Sequence, residues 1–205
     1  MERKILHLDL DAFFCDVERQ LDPTLAGKPF AVGGRPEQRG VVASCSYAAR
    51  QFGVRSAMPM SQAVRLCPEL IIVSHHFEAY RSRSRQVMAR LRETTKLVEQ
   101  LSIDEAFLDV SERPESAESI AYELQANINE TMDLPCSLGV ATNKLVAKIA
   151  NNIGKASVQT GKPPNTVKVV PPGTEAEFLA PLGTRELWGV GPKTAAIILL
   201  FGFNR

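Results

Sequence analysis

The segment Ile5–Leu10 reads as a strand, and it runs directly into a helix beginning near Ala12, with two acids, Asp9 and Asp11, at the junction. Alternation along the strand puts Ile5, His7, Asp9 and Asp11 on one face and Leu6, Leu8 and Leu10 on the other. Carboxylates at a strand end are costly unless water, hydrogen bonds or a cation meets them. Either Asp11 caps the following helix while Asp9 faces solvent, or both belong to a site.

The rest of the chain mixes the two periods. Short strands are expected at 29–32, 40–44 and 70–74, then at 97–101, 105–110 and 137–141. Tyr80, Val87, Met88 and Leu91 share one helical face over 78–93, as do Ile120, Leu124, Ile128 and Met132 in the next helix, so both helices should cover one side of a sheet. A third helix is expected at 144–152, and 154–165, with Gly, Ser, Gln, Thr and two adjacent prolines, reads as a loop. Thr174 and Glu177 have capping-box spacing, and Pro192 suits the first turn of a last helix. This alternation is α+β.

Composition excludes more than it identifies. With 24 Lys+Arg against 23 Asp+Glu in 205 residues, the net charge of +1 is not that of a strongly basic nucleic-acid module. Residues 78–96 are locally basic, a pattern that usually marks a solvated helix face. Cys15, Cys45, Cys67 and Cys136 form no CxxC pair, and His7, His75 and His76 do not complete a zinc spacing. No secretory or membrane-spanning run is present, so a cytoplasmic protein with reduced thiols and no membrane partner is expected.

Four segments carry candidate chemistry. Asp9-Leu10-Asp11 is the first. The second is Ser102-Ile103-Asp104-Glu105, adjacent acids in a tight connection that is either a solvated turn or a pair of ligands for a hard cation. The third is Ser44-Cys45-Ser46-Tyr47-Ala48-Ala49-Arg50, whose hydroxyl, phenol and guanidinium suit a triphosphate, or an exposed helix. The fourth, Leu187-Trp188-Gly189-Val190-Gly191-Pro192-Lys193, has the pattern of a helix-hairpin-helix turn against a nucleic-acid backbone, or of a glycine-rich connection, with Trp188 expected in the core.

In this order, HLDLDAFFCDVE (7–18), the Ser44 to Arg50 segment continuing through FGVRSAMP (52–59), LSIDEAFLDV (101–110), LGVATNKLVAKIA (138–150) and LWGVGPKTA (187–195) resemble the Y-family translesion DNA polymerases, in particular their bacterial DNA polymerase IV branch. The resemblance implies a right-hand polymerase with a ferredoxin-like antiparallel or mixed palm sheet, helices on one face, small fingers and the start of a helix-hairpin-helix thumb. It implies a palm from 1–10 and 75–165, fingers from 11–74 and a thumb from 166–205.

In that family the acids matching Asp9, Asp104 and Glu105, with the Leu10 carbonyl, hold two Mg²⁺ ions, for which Mn²⁺ can substitute. Ser44, Tyr47 and Arg50 match residues that hold the triphosphate. A palm lysine does so too: ungapped counting from Ala147-Lys148-Ile149-Ala150 selects Lys155, whereas the Lys-Pro pattern selects Lys162 and needs an insertion. Lys155 is preferred because helix spacing is harder to change than loop length. Phe14 matches the steric gate against ribose, and Gly189, Gly191 and Lys193 match a DNA-backbone contact.

The implied partners are primer-template DNA and deoxynucleoside triphosphates, with the protein a monomer and a sliding clamp engaged by the full-length relatives. Relatives continue into a little-finger domain, so a truncated catalytic core with weak DNA grip is expected. The alternatives are a non-catalytic polymerase-like adaptor, which could dispense with the three acids, and a nucleotidyl cyclase, which would need neither the finger insertion nor the Gly-Val-Gly turn.

Overall fold

The computed structural model describes residues 2–158 and 161–200. In chain order the elements are β1 (Ile5–Leu10), α1 (Phe13–Leu21), β2 (Phe30–Gly33), β3 (Val42–Cys45), α2 (Tyr47–Gln51), α3 (Met60–Leu66), β4 (Ile71–Val73), α4 (Phe77–Thr94), β5 (Val98–Gln100), β6 (Glu105–Asp109), α5 (Ala117–Met132), β7 (Cys136–Ala141), α6 (Lys144–Ala156), β8 (Val167–Val169), α7 (Glu175–Leu179) and α8 (Pro192–Leu200). Among the described residues no helix is long and apolar enough to cross a membrane.

Five strands form one sheet in the order β5-β6-β1-β7-β8. β1 is central and antiparallel to both neighbours, pairing Leu8 with Ala106 on one side and with Leu138 on the other. A small second sheet, β3-β2-β4, is inserted between α1 and α4. Leu6, Leu8 and Leu10 of β1 join Leu108, Leu138 and Val140 in a core closed by Tyr80, Val87, Met88 and Leu91 of α4 and Ile120, Leu124 and Ile128 of α5. These two helices share one face of the sheet, as their apolar stripes require.

The expectation that helices occupy one face only is corrected by α6. It lies on the opposite face, where Val146, Ala147 and Ala150 cover Ile5 and Phe107. The physical reason is that β1 and β6 turn buried side chains both ways, so the outward set must also be shielded from water. Gly139 permits the approach: a Cβ there would meet the Ala147 carbonyl oxygen at 1.9 Å and the Asn151 nitrogen at 2.5 Å. Gly139→Ala should therefore destabilise the chain by about 2–3 kcal/mol, the cost of overpacking against rigid backbone. Urea unfolding measures this, and an unchanged midpoint would mean that α6 can shift freely.

Four further expectations change. The helix set at 144–152 runs on to Ala156, because Gly154 is not a stop: a Cβ there would sit 3.1 Å from Lys168 Cβ, so the glycine admits β8. β8 itself pairs with β7, which moves 167–169 out of the expected C-terminal unit and into the main sheet. Thr174 and Glu177 form no capping box; the Thr174 hydroxyl donates to the Pro171 carbonyl at 2.7 Å instead. Trp188, expected in the core, is 49% exposed, with its ring 5.8 Å from that of Phe107.

Candidate active site

The site grows out of the junction of β1 with α1. Ala12 adopts left-handed backbone, φ 47°, and turns the chain from strand to helix within two residues. That turn sends Phe13 into the core, at 2% exposure, and leaves Phe14 half-buried. Asp11 is not the helix cap, since Ala12 occupies the cap position without a side-chain bond. The Asp11 carboxylate is instead wholly buried, accepting from the Ser137 hydroxyl at 2.8 Å and the Asn165 backbone N–H at 2.9 Å.

Register brings the acids together. Asp9 faces Glu105 directly across β1 and β6, and Leu10 N–H donates to the Asp104 carbonyl at 3.0 Å. Ser102 fixes the turn before β6: its hydroxyl accepts from the Glu105 N–H at 3.1 Å and donates to Asp104 Oδ1 at 2.5 Å. Two adjacent acids that would diverge on a regular strand are thus held at one sheet end.

Two lysines of α6 meet this charge. Lys155, in the last turn, lies 2.6 Å from Asp9 Oδ1 and 2.9 Å from Asp11 Oδ1. Lys148 lies 2.8 Å from Glu105 Oε2. Burial works against a charged Lys155, yet the Asp9 and Asp11 carboxylates outweigh it and hold its pKa above the ordinary value. Burial, with Glu105 and Asp104 adding repulsion, pushes Asp9 up to about 7 despite Lys155. Glu105 is held below its ordinary value: burial would raise it, but the Lys148 hydrogen bond and charge prevail. His7 beneath them accepts from Asn151 Nδ2 at 2.9 Å, and burial with the Lys148 charge lowers it to about 3, so it is neutral.

The small sheet supplies the facing wall. Ser44 leaves β3 with its hydroxyl 3.5 Å from the Cys15 thiol, which donates to it. Ser46 caps α2 by accepting from the Ala49 N–H, and the helix it starts carries Tyr47 and Arg50, the guanidinium carbon 4.6 Å above the phenol ring. Asp9, Asp104, Phe14, Ser44, Tyr47, Arg50, Lys155 and Lys162 all line one cavity of about 880 Å³. Glu105 stands outside that lining, on Lys148. Both candidate lysines reach the cavity, Lys155 paired with the acids and Lys162 exposed on the following loop.

Gly189, Gly191 and Lys193 do not join the cavity. They are exposed at the entry to α8, where Gly189 has φ 85° and the neighbouring Trp188 ring lies 5.8 Å from Lys148 Nζ. Residues that the motif reading did not single out are Asp11 as a buried partner of Lys155, Lys148, His7 and Tyr80. The alternation placing Asp9 and Asp11 on one face was the available signal for the first. Helical spacing identifies Tyr80 only as core, yet its ring stacks on Phe14 at 4.4 Å between centroids and 15° between planes.

Comparison with known proteins places this arrangement. The impB/mucB/samB family profile matches residues 8–152. The chain is 46% identical over 203 residues to a DNA polymerase IV of Ralstonia nicotianae, covering 98% of this chain and 55% of that protein. It is 45% identical over 205 residues to a DNA polymerase IV of Pseudomonas putida, covering 98% and 56%. The chain thus spans about half the length of the curated relatives it matches.

Among solved structures, an insertion ternary complex of Dbh DNA polymerase superposes with a TM-score of 0.90 at 31% identity, covering 98% of this chain and 58% of that one. DinB from Sulfolobus solfataricus gives 0.88 at 31%, with the same coverage. The chain belongs to the impB/mucB/samB family and has the Y-family polymerase fold.

Proposed function

We propose that this chain is the catalytic part of a translesion DNA polymerase, adding deoxynucleotides to a primer 3′ end on a template strand and releasing pyrophosphate. The observation that carries the proposal is the single cavity in which Asp9 and Asp104 face Ser44, Tyr47, Arg50 and Lys155. An acid cluster opposite a hydroxyl, a phenol and cations is what a triphosphate bound through metal ions needs. In this reading the five-stranded sheet is the palm, the 11–74 insertion the fingers and the residues after β8 the thumb.

The donor set fits Mg²⁺. Asp9, Asp104, Glu105 and the Leu10 carbonyl offer only hard oxygen, the donor type that Mg²⁺ takes. Among the described residues no three His, Cys, Asp or Glu side chains make a ready cage. Mg²⁺ takes one or two carboxylates and completes its shell with phosphates and water. Bound there, two Mg²⁺, or Mn²⁺ in their place, would lower the barrier to attack of the primer hydroxyl on the α-phosphate.

The chain's own residues do the positioning. Arg50 and Tyr47 hold the phosphates, with Ser44 as a further donor. Lys155 or Lys162 adds a cation. The Phe14 ring closes the sugar side, so that a 2′-hydroxyl meets carbon rather than water. The Gly189-Val190-Gly191 turn and Lys193 hold the DNA backbone. The protein works as a monomer on primer-template DNA in the cytoplasm, with a sliding clamp as a further partner. The adaptor alternative is not favoured: the three acids are present, and the matched relatives are polymerases by name.

Extension of a labelled primer at high enzyme and low salt, with and without Mg²⁺, tests the proposal. Metal-dependent extension supports it. Absent extension with nucleotide binding retained assigns the deficit to DNA grip, and absence of both returns the adaptor reading.

A second test uses pH. The folded Asp9 pKa of about 7 exceeds its ordinary 3.8, so between these values the folded chain holds more protons and metal-free stability falls as pH rises. Mg²⁺ at tenfold above its dissociation constant should then raise Tm by about 3–5 °C at pH 8 and by little at pH 5. Equal shifts at both pH values would place the ion elsewhere.

A further inference from the structure

We propose that Glu18 is a positioning residue for sugar selection, holding the Phe14 ring in place by way of Tyr80. The inference rests on the reading of Phe14 as the ring that meets the nucleotide sugar. Glu18 is a carboxyl at 2% exposure that has no Lys or Arg partner among the described residues; its one ion-pair partner there is His76. Such a group is expensive to bury unless hydrogen bonds satisfy it.

Two donors satisfy it. Tyr80 Oη donates to Glu18 Oε1, and His76 Nδ1, which must carry its proton to face a carboxylate, lies 2.9 Å from Oε2 and 3.0 Å from Oε1. Phe14 and Glu18 are one turn apart on α1, and so share a face. His76 and Tyr80 are likewise four residues apart at the start of α4. The two pairs engage each other: ring on ring at 4.4 Å, and carboxylate on hydroxyl and imidazole.

This geometry fixes the ring from behind. Tyr80 is fully buried, and the edges of its ring are met by Phe13 at 6.5 Å and Phe77 at 5.9 Å between centroids. Its hydroxyl is the polar end of the ring, and that hydroxyl ends on Glu18. Burial, followed by the Glu18 hydrogen bond, pushes the phenol above its ordinary pKa, so it remains a donor. A ring that rejects a hydroxyl by contact must be held within a fraction of an ångström, because a small retreat opens the space it guards.

The test measures the ratio of deoxy- to ribonucleotide use in single-turnover incorporation, and the ratio of the two triphosphates' affinities in equilibrium binding with primer-template. Glu18→Met, similar in length but without an acceptor, should lower both ratios by about tenfold, the low end of what one charge-assisted hydrogen bond contributes. Deoxynucleotide incorporation itself should stay within about twofold, since Glu18 touches no substrate. Glu18→Gln keeps an acceptor for Tyr80 and should recover most of the discrimination. A purely structural role would lower Tm without changing either ratio.

Should Glu18→Met fail to fold, Tyr80→Phe, which keeps the ring and removes the hydroxyl, is expected to shift the ratios the same way. Phe14→Ala separates the two levels of the argument. If Phe14→Ala collapses discrimination and Glu18→Met or Tyr80→Phe leaves it intact, the anchor is overturned and the gate stands. If Phe14→Ala also leaves it intact, the gate reading falls and the anchor falls with it.

Discussion

Asp104→Ala is expected to lower Mg²⁺-dependent primer extension by about 10³-fold or more while the chain stays folded. The first half follows from charge. In the proposed mechanism this carboxylate faces the metal-bound phosphates, and the ions it helps to hold supply several kcal/mol of transition-state stabilisation, each 1.36 kcal/mol being tenfold in rate. The second half follows from how little the side chain does structurally. It accepts one bond, from Ser102, and the link to β1 runs through the Asp104 backbone carbonyl, which alanine keeps. An exposed hydrogen bond of this kind is worth about 0.5–1 kcal/mol, so Tm should fall by no more than about 2–4 °C. Parallel calorimetry and extension assays would separate the two effects. Full activity in the variant would move the metal site away from the β1–β6 end.

How much of this was legible in the sequence depended on the range of the interactions. β1 and the apolar faces of α4 and α5 follow from local period, and all three appear where alternation and helical spacing put them. β8 escaped because three residues in a parallel edge strand carry no period of their own; its pairing with β7 exists only once α6 has crossed the sheet. The second helical face escaped for a related reason, since a glycine in β7 reads as a weak strand residue until Ala147 is seen against it. At the site, the spacing of Asp9 and Asp11 showed a shared face but not what fills the space between them. That depends on α6 continuing through Gly154 to deliver Lys155, and on Ser137 and Asn165 meeting Asp11 from strands and loops more than a hundred residues away. Tyr80 was legible as buried but not as the stacking partner of Phe14, because a helical stripe says which side is inside, not which ring it meets there.

Lys155→Met should cost about 3–5 kcal/mol of stability at pH 8, the usual result of removing one partner from a buried charge cluster. For a chain of this size that is about 10 °C in Tm. The methionine fills much of the same volume, so the loss is electrostatic: Asp9 and Asp11, the latter wholly buried, are left facing each other without their shared cation. The pH dependence follows from the sign of the Asp9 shift. Its folded pKa is already raised by burial, and losing Lys155 removes the cation that opposes that rise, so this part of the penalty is flat below about pH 6 and grows as pH climbs through and beyond 7. The difference between variant and wild type should therefore be smallest near pH 4 and largest at pH 8. Asp11→Asn in the Lys155→Met background should recover part of the loss, because it removes one of the two unpaired charges while keeping an oxygen for Ser137 and Asn165. Melting curves of the single and double variants across this pH range form a thermodynamic cycle. A Lys155→Met protein that melts with the wild type at every pH would mean that Ser137, Asn165 and solvent already neutralise the two acids, and that the lysine serves the nucleotide alone.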